Sequence, residues 1–336
     1  SGPMLERLFG LGSEDNPVFD NMHEAGSMLV GGTLAAAQAV HSGAVQRAVN
    51  IGGGMHHAMA GHAAGFCIYN DASIAIEWLL AQGYDRIAYV DIDAHHGDGV
   101  QVQFENDPRV MTISLHQHPA TLWPGTGWPT EVGSDRAAGT AVNVALMPGI
   151  EDRLWLRAFH AVVPSMIAAY KPQILLTQIG VDSHRADPLT DLALTVDGQA
   201  AAMRALRDLA DKYCEGRWIA DGGGGYGVIN VVPRAWTHLI ATALDRDVDT
   251  RTPVGAEWME TAVDLAGKVH PDYARPPVGM MGDNGDVGYV PWDGDAGAPP
   301  PAGIPDAAQQ QTDRAILATR RAAFPLHGLD PEDPRD

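Results

Sequence analysis

Between Tyr89 and Gly99 the chain reads Tyr-Val-Asp-Ile-Asp-Ala-His-His-Gly-Asp-Gly, three acids and two histidines at the end of an apolar run that starts at Arg86. A buried strand has little reason to end in such charges unless they bind or react with something, because a buried unpaired charge is costly. Asp91, Asp93 and His95 alternate along the chain, so on an extended backbone they point to one side. Carboxylate oxygens and an imidazole on one face suit a borderline divalent cation such as zinc. The competing reading is a polar strand end followed by a glycine turn, and the density of ligand-type residues favours the metal.

Three other polar clusters call for the same explanation: His56-His57 after a glycine run, Asp182 with Ser183 and His184 after an apolar run, and Tyr226 after Gly222 to Gly225. A catalytic zinc takes three protein ligands and keeps a position open. Asp93, His95 and Asp182 would supply them. One histidine of the pair His56-His57 can act as general base on a water, while the other gives electrostatic help or protonates the leaving group. Histidines in that role need carboxylates that fix tautomer and orientation, and Asp91 and Asp98 are available. The four-glycine run reads poorly as a phosphate cradle, since no Lys-Ser/Thr follows it. It reads better as a turn that presents the Tyr226 hydroxyl to a carbonyl oxygen and stabilises the developing oxyanion.

The elements that must position these groups follow from periodicity. Apolar runs at 48–51, 86–92, 110–115, 141–144, 174–179 and 218–220 read as strands. Helical spacing covers 21–40, 72–81, 100–104, 154–170, 200–212, a stretch from Pro233, and 312–323, with Asp71 as cap of the second. Strands alternating with helices give an α/β fold: a single domain over 4–330 with a mostly parallel sheet and helices on both faces. In such sheets the site lies beyond the carboxyl ends of the strands, where each polar cluster stands. Residues 272–308, rich in Pro, Gly and Asp, read as an irregular surface segment. Ser1-Gly2-Pro3 ahead of Met4 reads as an expression scar.

Composition narrows the partners. No apolar run approaches the roughly 20 residues of a membrane span, and the start lacks a signal-peptide pattern. Two distant cysteines, Cys67 and Cys214, fit a reducing cytoplasm without a disulfide framework. A net charge of -20 repels nucleic acid and anionic lipid. It would attract a basic partner such as a lysine-rich tail or a polyamine, although solubility alone accounts for it.

The motifs Gly53-Gly54-Met55-His56-His57-Ala58, Gly65-Phe66-Cys67-Ile68-Tyr69-Asn70-Asp71, Asp91 to Gly99, Val181-Asp182-Ser183 and Gly222 to Tyr226 resemble, in order and spacing, the zinc-dependent histone deacetylase family, with its arginase/deacetylase-like fold. The ending Phe324 to Leu329 looks most like the bacterial acetoin-utilisation (AcuC-type) branch. The resemblance implies zinc on Asp93, His95 and Asp182, and catalytic His56 and His57 paired with Asp91 and Asp98. It implies Tyr226 on the acyl carbonyl. It further implies a structural potassium on main-chain oxygens of Asp91, Asp93, His95 and Leu115 with Ser114, and a second monovalent site at Phe104, Asp107 and Val110. Phe66 and Trp123 would wall an acyl-lysine tunnel, with Leu189 and Asp15 at its rim and Gly65 and Gly224 also in contact with substrate. The family's usual opening segment, carrying His-Pro…Pro…Arg, has no counterpart here, and Trp123 is bulkier than the usual Phe.

The activity so implied is hydrolysis of N-acetyl or other N-acyl lysine amides in proteins. Three alternatives stand beside it. An acetylpolyamine amidohydrolase would use the same machinery on a free cationic chain. An arginase-like ureohydrolase would need carboxylates where this chain has His96, Gly97 and His184. A catalytically silent acyl-lysine binder would not need the retained Tyr226, histidine pair and ligands. The oligomeric state is not legible in the sequence.

Overall fold

The computed structural model describes residue 4 and residues 7–271, 273–294 and 306–336. Six strands form one sheet: β1 (Arg47–Asn50), β2 (Ile87–Asp91), β3 (Val110–Gln117), β4 (Ala141–Leu146), β5 (Ile174–Gln178) and β6 (Trp218–Asp221). Their order is β1-β6-β5-β2-β3-β4, and every ladder is parallel. The helices are α1 (Met22–His41), α2 (Asp71–Ala81), α3 (Asp98–Phe104), α4 (Asp152–Tyr170), α5 (Val196–Tyr213), α6 (Val232–Ala243), α7 (Ala256–Ala266) and α8 (Asp306–Ala323).

The strands read as near-continuous apolar runs because both faces of the sheet are covered. Ile87 and Tyr89 of β2 pack on one side with Ala37 of α1, Ile76 and Leu79 of α2 and Phe104 of α3. Ala88 and Val90 point the other way, toward a core that holds Trp155 and Phe159 of α4, Met203 and Leu206 of α5, and Leu239 of α6. Helices therefore lie on both faces, as the alternation of elements implies. From β2 the chain moves outward to β3 and β4, then returns to lay β5 on the other side of β2. That reversal opens a crevice at the carboxyl ends of β2 and β5, the expected ligand position in a doubly wound sheet.

Several boundaries differ from the sequence reading. Asn70, not Asp71, caps α2, its side chain accepting from Ser73 N at 2.9 Å. Asp71 instead accepts from Thr33 Oγ1, Gly54 N and Met55 N, and so anchors the loop that carries His56 and His57. Helix α5 starts at Val196, four residues earlier than the periodicity implies, because Thr195 caps it through Gly198 N. Helix α7 was not anticipated: it buries just Ala262 and so lacks a readable apolar stripe. Residues 273–294 contain no helix or strand beyond a single bridge at Met280. Residues 272 and 295–305 of the segment read as irregular, and Ser1 to Pro3, lie outside the described residues. Helix α8 begins at Asp306, ahead of the expected 312. No helix among the described residues is long and apolar enough to cross a membrane.

Arg320 of α8 is buried and holds the tail in place. Its guanidinium donates to main-chain oxygens of Ala161, Asp330, Pro331, Asp333 and Asp336, and lies 4.3 Å from the Trp292 ring centroid and 4.1 Å from that of Phe324. Arg320→Met strands these carbonyls, so we expect destabilisation of about 3 kcal/mol or more in urea unfolding. A shift below about 0.5 kcal/mol would show that water replaces the guanidinium at no cost.

Candidate active site

The end of β2 and the loop after β5 bring Asp93, His95 and Asp182 together, with one ligand atom from each lying within 4.8 Å of the others. His95 Nδ1 is 3.1 Å from Asp93 Oδ1 and 2.9 Å from Asp182 Oδ2. Backbone and amide donors hold the acids in place: Gln178 Nε2 and Gly224 N donate to Asp93 Oδ2 at 2.8 Å each, and Ala94 N donates to Asp182 Oδ1 at 2.8 Å. Burial, with the charge of Asp93 added, pushes Asp182 up to about 8. Burial opposes a charged His95, but its hydrogen bonds to Asp182 and Asp93 carry it up to about 11. Two buried acids thus converge beside His95: Asp93 keeps its charge, Asp182 tends to hold its proton, and the protonated His95 is the counter-charge. A divalent cation resolves that frustration, and an N/O/O donor set of this kind fits zinc. Gly224 is required by the approach: a Cβ there would lie 2.3 Å from Asp182 Oδ2 and 2.7 Å from Asp93 Oδ2.

The histidine pair stands beside this group, with ring centroids 4.0 Å apart. His56 Nδ1 lies 2.7 Å from Asp91 Oδ2, and His57 Nδ1 lies 2.6 Å from Asp98 Oδ1. Each dyad is itself fixed: Tyr89 OH donates to Asp91 Oδ2 at 2.7 Å and Gly99 N to Asp98 Oδ1 at 2.9 Å. Burial disfavours a charged His56, yet Asp91, Asp93 and Asp98 outweigh it and raise the ring to about 9. Burial lowers His57 to about 4, the charge on His56 adding to it against Asp98. At neutral pH the pair is one imidazolium and one neutral imidazole.

A pocket of about 230 Å³ is lined by His56, His57, Gly65, Phe66, Asp93, His95, Gly224 and Tyr226. Its mouth, about 210 Å³, adds Asp15, Trp123 and Leu189. The Trp123 ring lies 4.6 Å from His57, and Phe66 lies 5.8 Å from Tyr226, so the two aromatics form opposite walls. Gly65 (φ 50°) and Phe66 (φ 67°) sit in the left-handed region. A Cβ on Gly65 would meet His57 and Trp123 at 2.6 Å. Burial, then the charges of Asp182 and Asp93, raise Tyr226 far above an ordinary phenol, which keeps its hydroxyl protonated. A larger groove of about 340 Å³ beside α8 carries His118 and Arg314 among small apolar residues and none of these clusters.

Other residues named from the sequence fall as follows. Ser114 of β3 is in register with Asp91, which places it and Leu115 next to the metal loop. The carbonyls of Phe104 and Asp107 already accept from Asp107 N and Val110 N, at 2.9 and 3.2 Å, in the turn before β3. His96 faces away from the pocket, bonded to Thr126 Oγ1 and Gln101 Oε1. His184 pairs with Asp283, so neither histidine offers the second metal site of a ureohydrolase. Sequence reasoning missed Tyr89, Gln178 and Asp187. Asp187 accepts from Tyr226 N at 2.8 Å, a partnership 39 residues apart that leaves no local signal.

Residues 3–243 match the model of the histone deacetylase domain. The acetoin utilization protein AcuC of Bacillus subtilis (strain 168) is 44% identical over 251 residues, covering 75% of this chain and 64% of that protein. AcuC of Staphylococcus aureus (strain MSSA476) is 41% identical over 244 residues, 73% of this chain and 63% of that protein. The chain therefore spans a little under two thirds of these relatives. The crystal structure of an HDAC homolog from Aquifex aeolicus has a TM-score of 0.74 at 27% identity, covering 92% of this chain and 78% of that one. That of an HDAC homolog complexed with SAHA has a TM-score of 0.75 at 28% identity and the same coverage. Matched by the domain model over most of its length, and alike in fold to solved homologues, the chain belongs to the histone deacetylase domain family.

Proposed function

We propose that the chain hydrolyses N-acetyl or other N-acyl amides of lysine side chains in proteins, using zinc on Asp93, His95 and Asp182. The observation that carries this reading is the convergence, around one pocket, of two His–Asp dyads, a three-residue metal-type donor group and Tyr226. Zinc, when bound, supplies Lewis acidity to the acyl carbonyl and to the attacking water. The chain does the rest. Asp98 holds Nδ1 of the neutral His57, leaving Nε2 free to take the proton of the water and pass it to the departing amine nitrogen as the C–N bond breaks. The His56 imidazolium, held by Asp91, offsets the negative charge that develops on the acyl oxygen. The Tyr226 hydroxyl donates to that oxygen. Phe66 and Trp123 sheathe the methylene chain of the lysine, and Asp15 and Leu189 lie where its backbone emerges.

The proposal extends to a structural potassium on main-chain oxygens around Asp91, Asp93, His95 and Leu115 with Ser114, and to a second monovalent ion at Phe104, Asp107 and Val110. It also takes 4–330 as one domain. Two free buried cysteines support a reducing compartment, the cytoplasm.

Metal analysis combined with substrate comparison tests the reading. One zinc per chain and turnover of acetyl-lysine peptides above acetylated polyamines is the expected result. Faster turnover of the polyamines would redirect the assignment to a polyamine amidohydrolase, and binding without turnover would make the chain a silent binder. Two manganese ions would indicate a ureohydrolase.

The pH profile carries its own prediction. His56 loses its proton as pH rises through about 9, so kcat/KM should fall on that alkaline side. Asp91→Asn removes the largest of the three charges that raise His56, so the limb should move to lower pH by about one unit or more. An unmoved limb would take His56 out of the profile.

A further inference from the structure

Tyr226 follows four glycines, which impose little backbone preference of their own, so its aim must come from outside the run. Three bonds hold that run to the loop behind β5, the first from Ile179 N to Gly222 O at 3.0 Å. Val181 N donates to Gly224 O at 2.6 Å, and Tyr226 N donates to Asp187 Oδ2 at 2.8 Å. The other oxygen of Asp187 accepts from Leu189 N at 2.9 Å. Asp187 is 9% exposed, and its own N–H is bonded to His184 O at 2.8 Å, so the carboxylate is set from both ends. A single anionic side chain therefore joins the loop that carries Asp182 and the rim residue Leu189 to Tyr226, which lines the pocket. Charge-assisted bonds from backbone N–H groups are among the stronger ones available.

We propose that Asp187 is a positioning residue: it clips Tyr226 and Leu189 together and fixes the depth at which the phenol hydroxyl meets the acyl carbonyl. The inference rests on the deacetylase reading for its effect on turnover, while the clip itself is independent of it. Its chemistry predicts a specific pattern. Misplacing a catalytic group by about 1 Å can cost on the order of 10²-fold in rate. Such a loss is smaller for a carbonyl already activated by its substituent. An acetyl-lysine peptide should therefore suffer more than the matching trifluoroacetyl-lysine peptide.

The test uses Asp187→Ala and Asp187→Asn in the zinc-loaded protein, with hydrogen exchange resolved over 222–227. In Asp187→Ala we expect kcat for acetyl-lysine to fall by about 30-fold with KM within about threefold, while trifluoroacetyl-lysine loses only about threefold. Asp187→Asn keeps one acceptor and should recover much of the rate. Exchange at the Tyr226 amide should speed up by about 10-fold or more once its acceptor is gone. Unchanged exchange, or equal losses on both substrates, would overturn the clip and leave the deacetylase reading standing. Faster exchange in a protein whose wild type releases no acetate from any acetyl-lysine peptide would keep the clip and remove that reading.

Discussion

Turnover of an acetyl-lysine peptide should drop by about 10²- to 10³-fold in Tyr226→Phe, with zinc content and unfolding temperature unchanged. The substitution removes one oxygen and little else. The ring still packs near Phe66, and the N–H held by Asp187 belongs to the backbone. On the proposed reading what disappears is the donor to the acyl oxygen, and such a donor matters more as charge builds up there, so kcat should carry the loss and KM should not. Burial together with Asp182 and Asp93 raises this phenol above the ordinary range and keeps it protonated at neutral pH. A wild-type kcat in the variant would take Tyr226 out of the chemistry.

Asp182→Asn should abolish measurable activity by loss of the metal, and it should do so without unfolding the protein. The amide oxygen can still accept from Ala94 N, and the amide, like the proton-holding Asp182 of the metal-free protein, sets no second charge against Asp93. The metal-free variant should therefore unfold at or above the temperature of the metal-free wild type. The wild type should lose stability on chelation: at a metal concentration of ~1,000 Kd, binding stabilises the native state by about 4.1 kcal/mol. The variant should show no response to the chelator. Retained stoichiometric zinc in the variant would show that the acid is not a ligand. The same calorimetric series separates metal loss from misfolding.

The six strands and most helices were legible because buried parallel strands are continuous apolar runs and covering helices repeat their apolar positions. The ends were less so. Strand β3 continues through His116 and Gln117, polar residues that a hydrophobic count stops at, because Gln117 N is tied to Ala94 O and the His116 ring to Ser114 and Gly127. Helix α7 escaped because exposed apolar residues such as Val263 blur its stripe. The site divides in the same way. Asp91, Asp93 and His95 announce themselves by alternation on one strand end, and His56-His57 by adjacency. Gln178 reaches Asp93 from 85 residues away, and Asp187 reaches Tyr226 from 39, so each looks like an ordinary polar residue until the chain is folded. Asp71 shows how local reasoning misplaces a residue. Beside a helix start it reads as a cap, while its carboxylate is committed to the loop of Gly54 and Met55.

The strand order also dictates when in the chain's history a working centre can exist. Among the described residues, strand β1, which leads into the histidine pair, has β6 as its one neighbour in the sheet, and β6 comes last of the six strands in the chain. During synthesis the first strand of the sheet must wait for the last, and the pair His56-His57 waits with it. No stretch shorter than the whole span from Arg47 to Tyr226 can assemble the centre. A chain that stops before β6 should leave the pair His56-His57 without its sheet support.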